Sequence, residues 1–156
     1  MLSIEAQELS EILVTNGLTI SVAESCSGGS LSQALTSIPG ASSYFDCGYI
    51  TYSNQSKIEM LGVDAQTIKT YGAVSEEVAL EMVIGVTTKS NSYVAASITG
   101  VAGPTGGTTE KPVGMVCFGF SCDGKTSTRT ELFSGDRASI VSQSVSYALM
   151  QLSLRF

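Results

Sequence analysis

Leu18-Thr19-Ile20-Ser21-Val22-Ala23-Glu24-Ser25-Cys26-Ser27-Gly28-Gly29 changes its period halfway along. Leu18, Ile20 and Val22 alternate with smaller or polar residues over 18–23, the pattern of a strand. Two glycines then turn the chain. Leu31, Ala34, Leu35 and Ile38 follow at helical spacing until Pro39-Gly40. Strand, tight turn and helix in succession are a building unit of layered α/β proteins.

The flanking sequence extends this pattern. Residues 3–16 read as a helix with Leu9, Ile12 and Leu13 on one face, stopped at Asn16-Gly17. Residues 44–52 read as a second strand. Ser53 or Asn54 caps a short helix holding Lys57, Ile58 and Leu61, which Gly62 ends. Residues 75–89 form a helix capped by Ser75, with Glu76 and Glu77 in its first turn and Val78, Met82, Val83 and Val86 as its stripe. A strand at 93–99 feeds the glycine-rich run Gly100 to Gly107. Strands at 112–121 and 126–133 flank Asp123-Gly124, a strong hairpin signal. The last helix, 137–154, buries Ile140, Val141, Val145, Ala148, Leu149 and Leu152. Early alternation with a late hairpin predicts one α/β domain over residues 1–156, a three-layer α/β/α sandwich around a mixed sheet.

Composition excludes several classes. A chain of 156 residues buries roughly 70% of its unfolded surface, enough for one core. Only 14% of residues are charged, which favours a compact globule and leaves room for a homo-oligomer. The net charge is −6 and the eight basic residues are scattered, against nucleic-acid binding, which needs them clustered. The four cysteines include no C-x-x-C pair, and the chain has no histidine, so a zinc site is not expected. No cofactor is expected either. The cysteines read as free thiols of a reducing compartment. No basic-then-apolar leader opens the chain, and no apolar run approaches the ~20 residues that span a bilayer. The expectation is a cytoplasmic protein without membrane contact.

The missing histidine also constrains chemistry, since it is the usual base for a serine nucleophile. Lysine is the natural substitute. Ser25, at a strand's carboxyl end beside Gly28 and Gly29, either attacks a substrate or caps the following helix. N–H groups at the helix start and near Ser25, Cys26 and Ser27 are expected to hold an oxyanion. Cys26 is the rival nucleophile, at a helix N-terminus where thiol pKa values fall. Lys57 is either a base or a solvated surface lysine. To act as a base it needs its pKa brought toward ~7–8 by burial or by the positive helix end. Tyr52 either relays a proton, orients Lys57 or packs as a half-buried strand residue, and Glu24 reads as a structural acid. Gly100–Gly107, Lys111 and Phe133-Ser134-Gly135-Asp136-Arg137 pair glycine with lone cations, the makings of an anion site or of ordinary loops and caps.

Taken together and in order, Ala23 to Gly29, Thr51-Tyr52-Ser53-Asn54 with Lys57, Gly72-Ala73-Val74-Ser75-Glu76, Thr99 to Pro104 with Gly106-Gly107, Lys111-Pro112-Val113-Gly114 and Phe133 to Arg137 resemble the CinA C-terminal domain family. Its stand-alone members are nicotinamide-nucleotide amidases. The resemblance implies a compact α/β/α domain that deamidates nicotinamide mononucleotide to nicotinate mononucleotide and ammonia, in pyridine nucleotide recycling, without a metal. By position, Ser25 is then the nucleophile, Lys57 its base and Tyr52 an assisting hydroxyl. Cys26, Ser27, Gly28, Gly29, Gly100, Gly103, Thr105, Gly106 and Arg137 fall to substrate binding. Many relatives have threonine at Ser27, and longer ones carry a pyrophosphatase-like domain not seen here. The alternative is a non-catalytic module tied to competence or DNA-damage functions.

Overall fold

The structure, a computed structural model, describes residues 3–156. Its order is α1 (Ile4–Asn16), β1 (Ile20–Glu24), α2 (Ser30–Thr36), a 3-10 turn (Ala41–Ser43), β2 (Phe45–Ile50), α3 (Asn54–Leu61), α4 (Ala65–Tyr71), α5 (Glu76–Lys89), β3 (Val94–Gly100), β4 (Met115–Cys122), β5 (Lys125–Leu132) and α6 (Arg137–Ser153). The sheet runs β2-β1-β3-β4-β5. β1 is parallel to both β2 and β3; β4 and β5 are antiparallel additions. The mixed sheet expected from the sequence is present.

Two apolar layers cover it. On one face Leu9 and Leu13 of α1, Leu31 and Leu35 of α2, and Ile140, Leu149 and Leu152 of α6 pack on Ile20, Val22, Ile98, Phe118 and Phe120. On the other, Val78, Met82, Val83 and Val86 of α5, with Leu61 and Val63, pack on Ala23 and Ala95. Alternate strand residues face opposite layers, which is why Val22 and Ala23 belong to different clusters.

Local signals account for most boundaries. Ser75 accepts from the Val78 N–H, and Ser53 forms a reciprocal cap with Ser56. Asp123 and Gly124, at φ 52° and 71°, turn the hairpin with the left-handed pair that a two-residue loop requires.

Several boundaries differ from the sequence reading. β1 extends through Glu24, so that residue ends a strand instead of entering the turn. β2 is shorter, and α2 stops at Thr36. β4 starts at Met115, because Pro112 has no N–H to give a ladder and Gly114 takes φ 94°. α4 was not foreseen: it has seven residues and none is buried, so it shows no apolar stripe.

Candidate active site

Three strands deliver residues to one end of the sheet. Ser25 follows β1, Thr51 follows β2, and Gly100 closes β3. The Ser25 N–H donates to the Ile98 carbonyl at 2.9 Å, which fixes the turn at Ser25 against β3. The Thr51 N–H donates to the Glu24 carbonyl at 2.8 Å, which fixes the end of β2 against β1.

Lys57 lies on α3, a helix that buries only Lys57 and Leu61. The lysine is 1% exposed. Its Nζ donates to Ser25 Oγ at 2.9 Å and to the Thr51 carbonyl at 2.8 Å. Burial pulls its pKa below the ordinary lysine value, while the nearby Cys26 thiol acts in the other direction. The two residues singled out from sequence therefore meet, with the amine's charged form disfavoured.

Cys26 differs from expectation. Burial pushes its thiol up to about 11, outweighing its own backbone N–H, Lys57 and Arg137. α2 begins only at Ser30, and its leading N–H groups are already engaged by Glu24. The lowering expected of a helix N-terminus does not prevail.

The oxyanion donors also need correction. The Glu24 carboxylate accepts from the N–H groups of Gly29, Leu31 and Ser32 and from the hydroxyls of Ser27 and Ser32. The Ser25 N–H is taken by Ile98. At this turn the N–H groups of Cys26 and Ser27 make no hydrogen bond to another described residue. They are the donors left for an anion.

Arg137 opens α6. One nitrogen donates to the Gly103 carbonyl at 2.8 Å and another to the Tyr52 hydroxyl at 2.6 Å. Tyr52 is 58% exposed, and its hydroxyl accepts from Arg137 and makes no hydrogen bond with Lys57. A cavity of about 290 Å³ contains Ser25, Cys26, Tyr52, Lys57, Gly100, Gly103, Thr105, Gly106 and Arg137. A larger cleft of about 890 Å³ lies beside it, shares Cys26, Tyr52 and Arg137, and includes Ser27 and Gly28. Of the two, the smaller cavity has both Ser25 and Lys57 in its wall. Gly29 lines neither; its N–H serves Glu24.

Asn54, Ala73, Val74 and Thr99 also line the cavity and were not singled out for roles. The Thr51 carbonyl that holds Lys57 was missed too, since a backbone acceptor leaves no side-chain signature. Lys111, read as a cation for an anion site, instead donates to the Tyr71 carbonyl at the end of α4. Among the described residues no cluster of three or more Cys, Asp or Glu could hold a metal ion. No helix among them is long and apolar enough to cross a membrane.

A profile of the CinA C-terminal domain matches residues 3–156. The chain belongs to the CinA C-terminal domain family. Among CinA relatives, the nicotinamide-nucleotide amidohydrolase PncC of Escherichia coli K12 is 43% identical over 152 residues, covering 97% of this chain and 92% of that protein. A CinA-like protein of Chloroherpeton thalassium is 49% identical over 135 residues, covering 84% of this chain and 32% of that longer protein. Among solved CinA structures, the competence damage-inducible protein A (ComA) of Klebsiella pneumoniae superposes with a TM-score of 0.94 at 34% identity, covering 97% and 94% of the two chains. CihA of Agrobacterium tumefaciens superposes with a TM-score of 0.92 at 37% identity, covering 100% of this chain and 99% of that one.

Proposed function

We propose that residues 1–156 form one amidohydrolase domain that deamidates nicotinamide mononucleotide, giving nicotinate mononucleotide and ammonia. Similarity to PncC, whose name carries that activity, supports the substrate. The observation that carries the mechanism is the 2.9 Å contact between Lys57 Nζ and Ser25 Oγ in a chain without histidine.

Neutral Lys57 takes the Ser25 hydroxyl proton as Oγ attacks the carboxamide carbon. The oxygen of the tetrahedral intermediate sits against the Cys26 and Ser27 N–H groups. The C–N bond breaks, and ammonia leaves with the proton returned by the Lys57 ammonium. Water, giving its proton to Lys57, then attacks the Ser25 ester; the ester bond breaks and the serine hydroxyl is restored. The Thr51 carbonyl aims the amine throughout.

Arg137 and the Gly100–Gly106 wall meet the anionic end of the substrate, with Thr105 as a hydroxyl donor. Tyr52, held by Arg137, assists by closing the cavity instead of touching the base. Cys26 and Ser27 contribute backbone groups, and Gly28 and Gly29 the turn that exposes them. The chemistry is assigned no metal and no cofactor. The partner is a small nucleotide rather than nucleic acid or membrane; the protein acts in cytoplasmic pyridine nucleotide recycling, and self-association is compatible with the site.

The test is ammonia release from nicotinamide mononucleotide by the purified chain and by Ser25→Ala. Release by the wild type, with a loss on the order of 10⁴-fold or more in the variant, is expected. Undiminished release by the variant would remove Ser25 from the mechanism.

A further inference from the structure

Glu24 immediately precedes the nucleophile and takes no part in the proton transfers above. Its side chain is fully buried. Oε2 accepts from Ser27 Oγ at 2.7 Å, from the Gly29 N–H at 3.1 Å and from the Leu31 N–H at 3.0 Å. Oε1 accepts from the Ser32 N–H and the Ser32 hydroxyl, each at 2.7 Å. An ionised carboxylate accepts at both oxygens and brings no donor of its own. A glutamine of the same shape would turn its NH₂ toward the Ser32 N–H, or toward those of Gly29 and Leu31.

The main chain of Glu24 adds a second hold. Its carbonyl takes the Thr51 N–H at 2.8 Å, and the Thr51 carbonyl takes the Lys57 amine, also at 2.8 Å. One residue thus connects the turn bearing the nucleophile to the group that aims the base. Three of the five donors on its carboxylate are main-chain N–H groups at the head of α2, which would otherwise draw an anion toward themselves. With these engaged, the donors left over at the turn are those of Cys26 and Ser27, the two residues that follow Ser25.

We propose that Glu24 is a positioning residue: by gathering five donors from residues 27–32 it sets the nucleophile turn so that the Cys26 and Ser27 N–H groups converge on the developing oxyanion. The proposal rests on the amidase reading, and its effect belongs to the transition state more than to the bound substrate.

The test compares Glu24→Gln and Glu24→Asp with the wild type by three readouts: kcat and KM for ammonia release, the pH profile, and the rate at which a fluorophosphonate labels Ser25. For Glu24→Gln we expect kcat lower on the order of 10²-fold, the size of losing one oxyanion donor, with KM changed by less than about threefold. Labelling should slow in parallel. The pH midpoint should stay in place, because burial is what lowers Lys57, with Cys26 opposing it, and Glu24 is not among the causes of the shift. Glu24→Asp keeps the charge but withdraws it by one methylene, so kcat should fall about tenfold. It also stands in if Glu24→Gln does not fold.

Labelling and kcat within about threefold of wild type in a folded variant would overturn the proposal, as would a loss that merely tracks the unfolded fraction in thermal melts. A wild type that labels at Ser25 yet releases no ammonia would refute the amidase reading, and the labelling rates would still decide the role of Glu24.

Discussion

Replacing Lys57 by methionine separates what the amine does for chemistry from what it does to the fold. Methionine is unbranched and apolar, so it replaces the buried lysine stem without a charge. On the chemical side the variant lacks its base. General bases contribute typically 10²–10⁴-fold, or about 3–5 kcal/mol of transition-state stabilisation. kcat for ammonia release should fall by that factor with KM nearly unchanged.

On the stability side two effects oppose. The Thr51 carbonyl loses its donor, and a buried acceptor left unpaired costs about 1–3 kcal/mol. Against this, the variant is free of an ammonium held at 1% exposure. That penalty depends on pH with a definite sign. The folded pKa of Lys57 lies below its ordinary 10.5, so the unfolded chain holds the proton more tightly. Below the folded pKa both states are protonated and the wild type carries the whole penalty. Between the folded pKa and 10.5 wild-type stability rises with pH. Above 10.5 only the lost carbonyl partner distinguishes the two proteins, and the variant is the weaker. Thermal melts of both proteins across this range, beside ammonia release at each pH, make the measurement. A difference in stability that stays flat with pH, or a variant within about tenfold of wild-type kcat, would refute the reasoning.

Other outcomes follow from the same geometry. The wild-type kcat/KM should rise with pH to a plateau whose midpoint lies below the 10.5 of free lysine; a midpoint at that value would show an unperturbed amine. Cys26→Ser should keep kcat within about fivefold, and iodoacetamide should not inactivate the wild type near neutrality, because the thiol sits near 11 and is 8% exposed. Arg137→Ala should raise KM at least about tenfold with a smaller change in kcat, since it removes a charge-assisted contact and frees Tyr52. Gly114→Ala should destabilise by about 3 kcal/mol or more in urea titrations: at φ 94° its Cβ would lie 2.0 Å from the Phe133 oxygen.

Features written in neighbouring residues were legible in the sequence. Asp123-Gly124 announces its hairpin because only certain residues take its dihedrals cheaply, and Ser53 and Ser75 announce helix starts because a hydroxyl must meet an N–H three residues on. The contact between Ser25 and Lys57 was legible for a different reason: in a chain without imidazole, lysine is one of the few residues that could be paired with the serine hydroxyl. Partnerships across the fold were not. Nothing local says that the Ser25 N–H goes to Ile98, that Lys111 ends on the Tyr71 carbonyl, or that Arg137 bridges Gly103 and Tyr52. The rise of the Cys26 thiol reflects enclosure by the finished structure, which outweighs its position along the chain. The order of the sheet was equally hidden, because strand neighbours are set by which faces both helical layers can cover.

Parallel pairing of β1 with β2, with Glu24 opposite Ile50, decides how far Lys57 stands from Ser25. Sliding one strand past the other by a single residue would carry the Thr51 carbonyl about 3.3 Å away and reverse which side its neighbours face. The crossover through α2 and the 3-10 turn is under no such restriction. Insertions around Pro39 and Gly40 should therefore leave turnover intact, whereas a deletion inside either strand should abolish it even where the protein still folds.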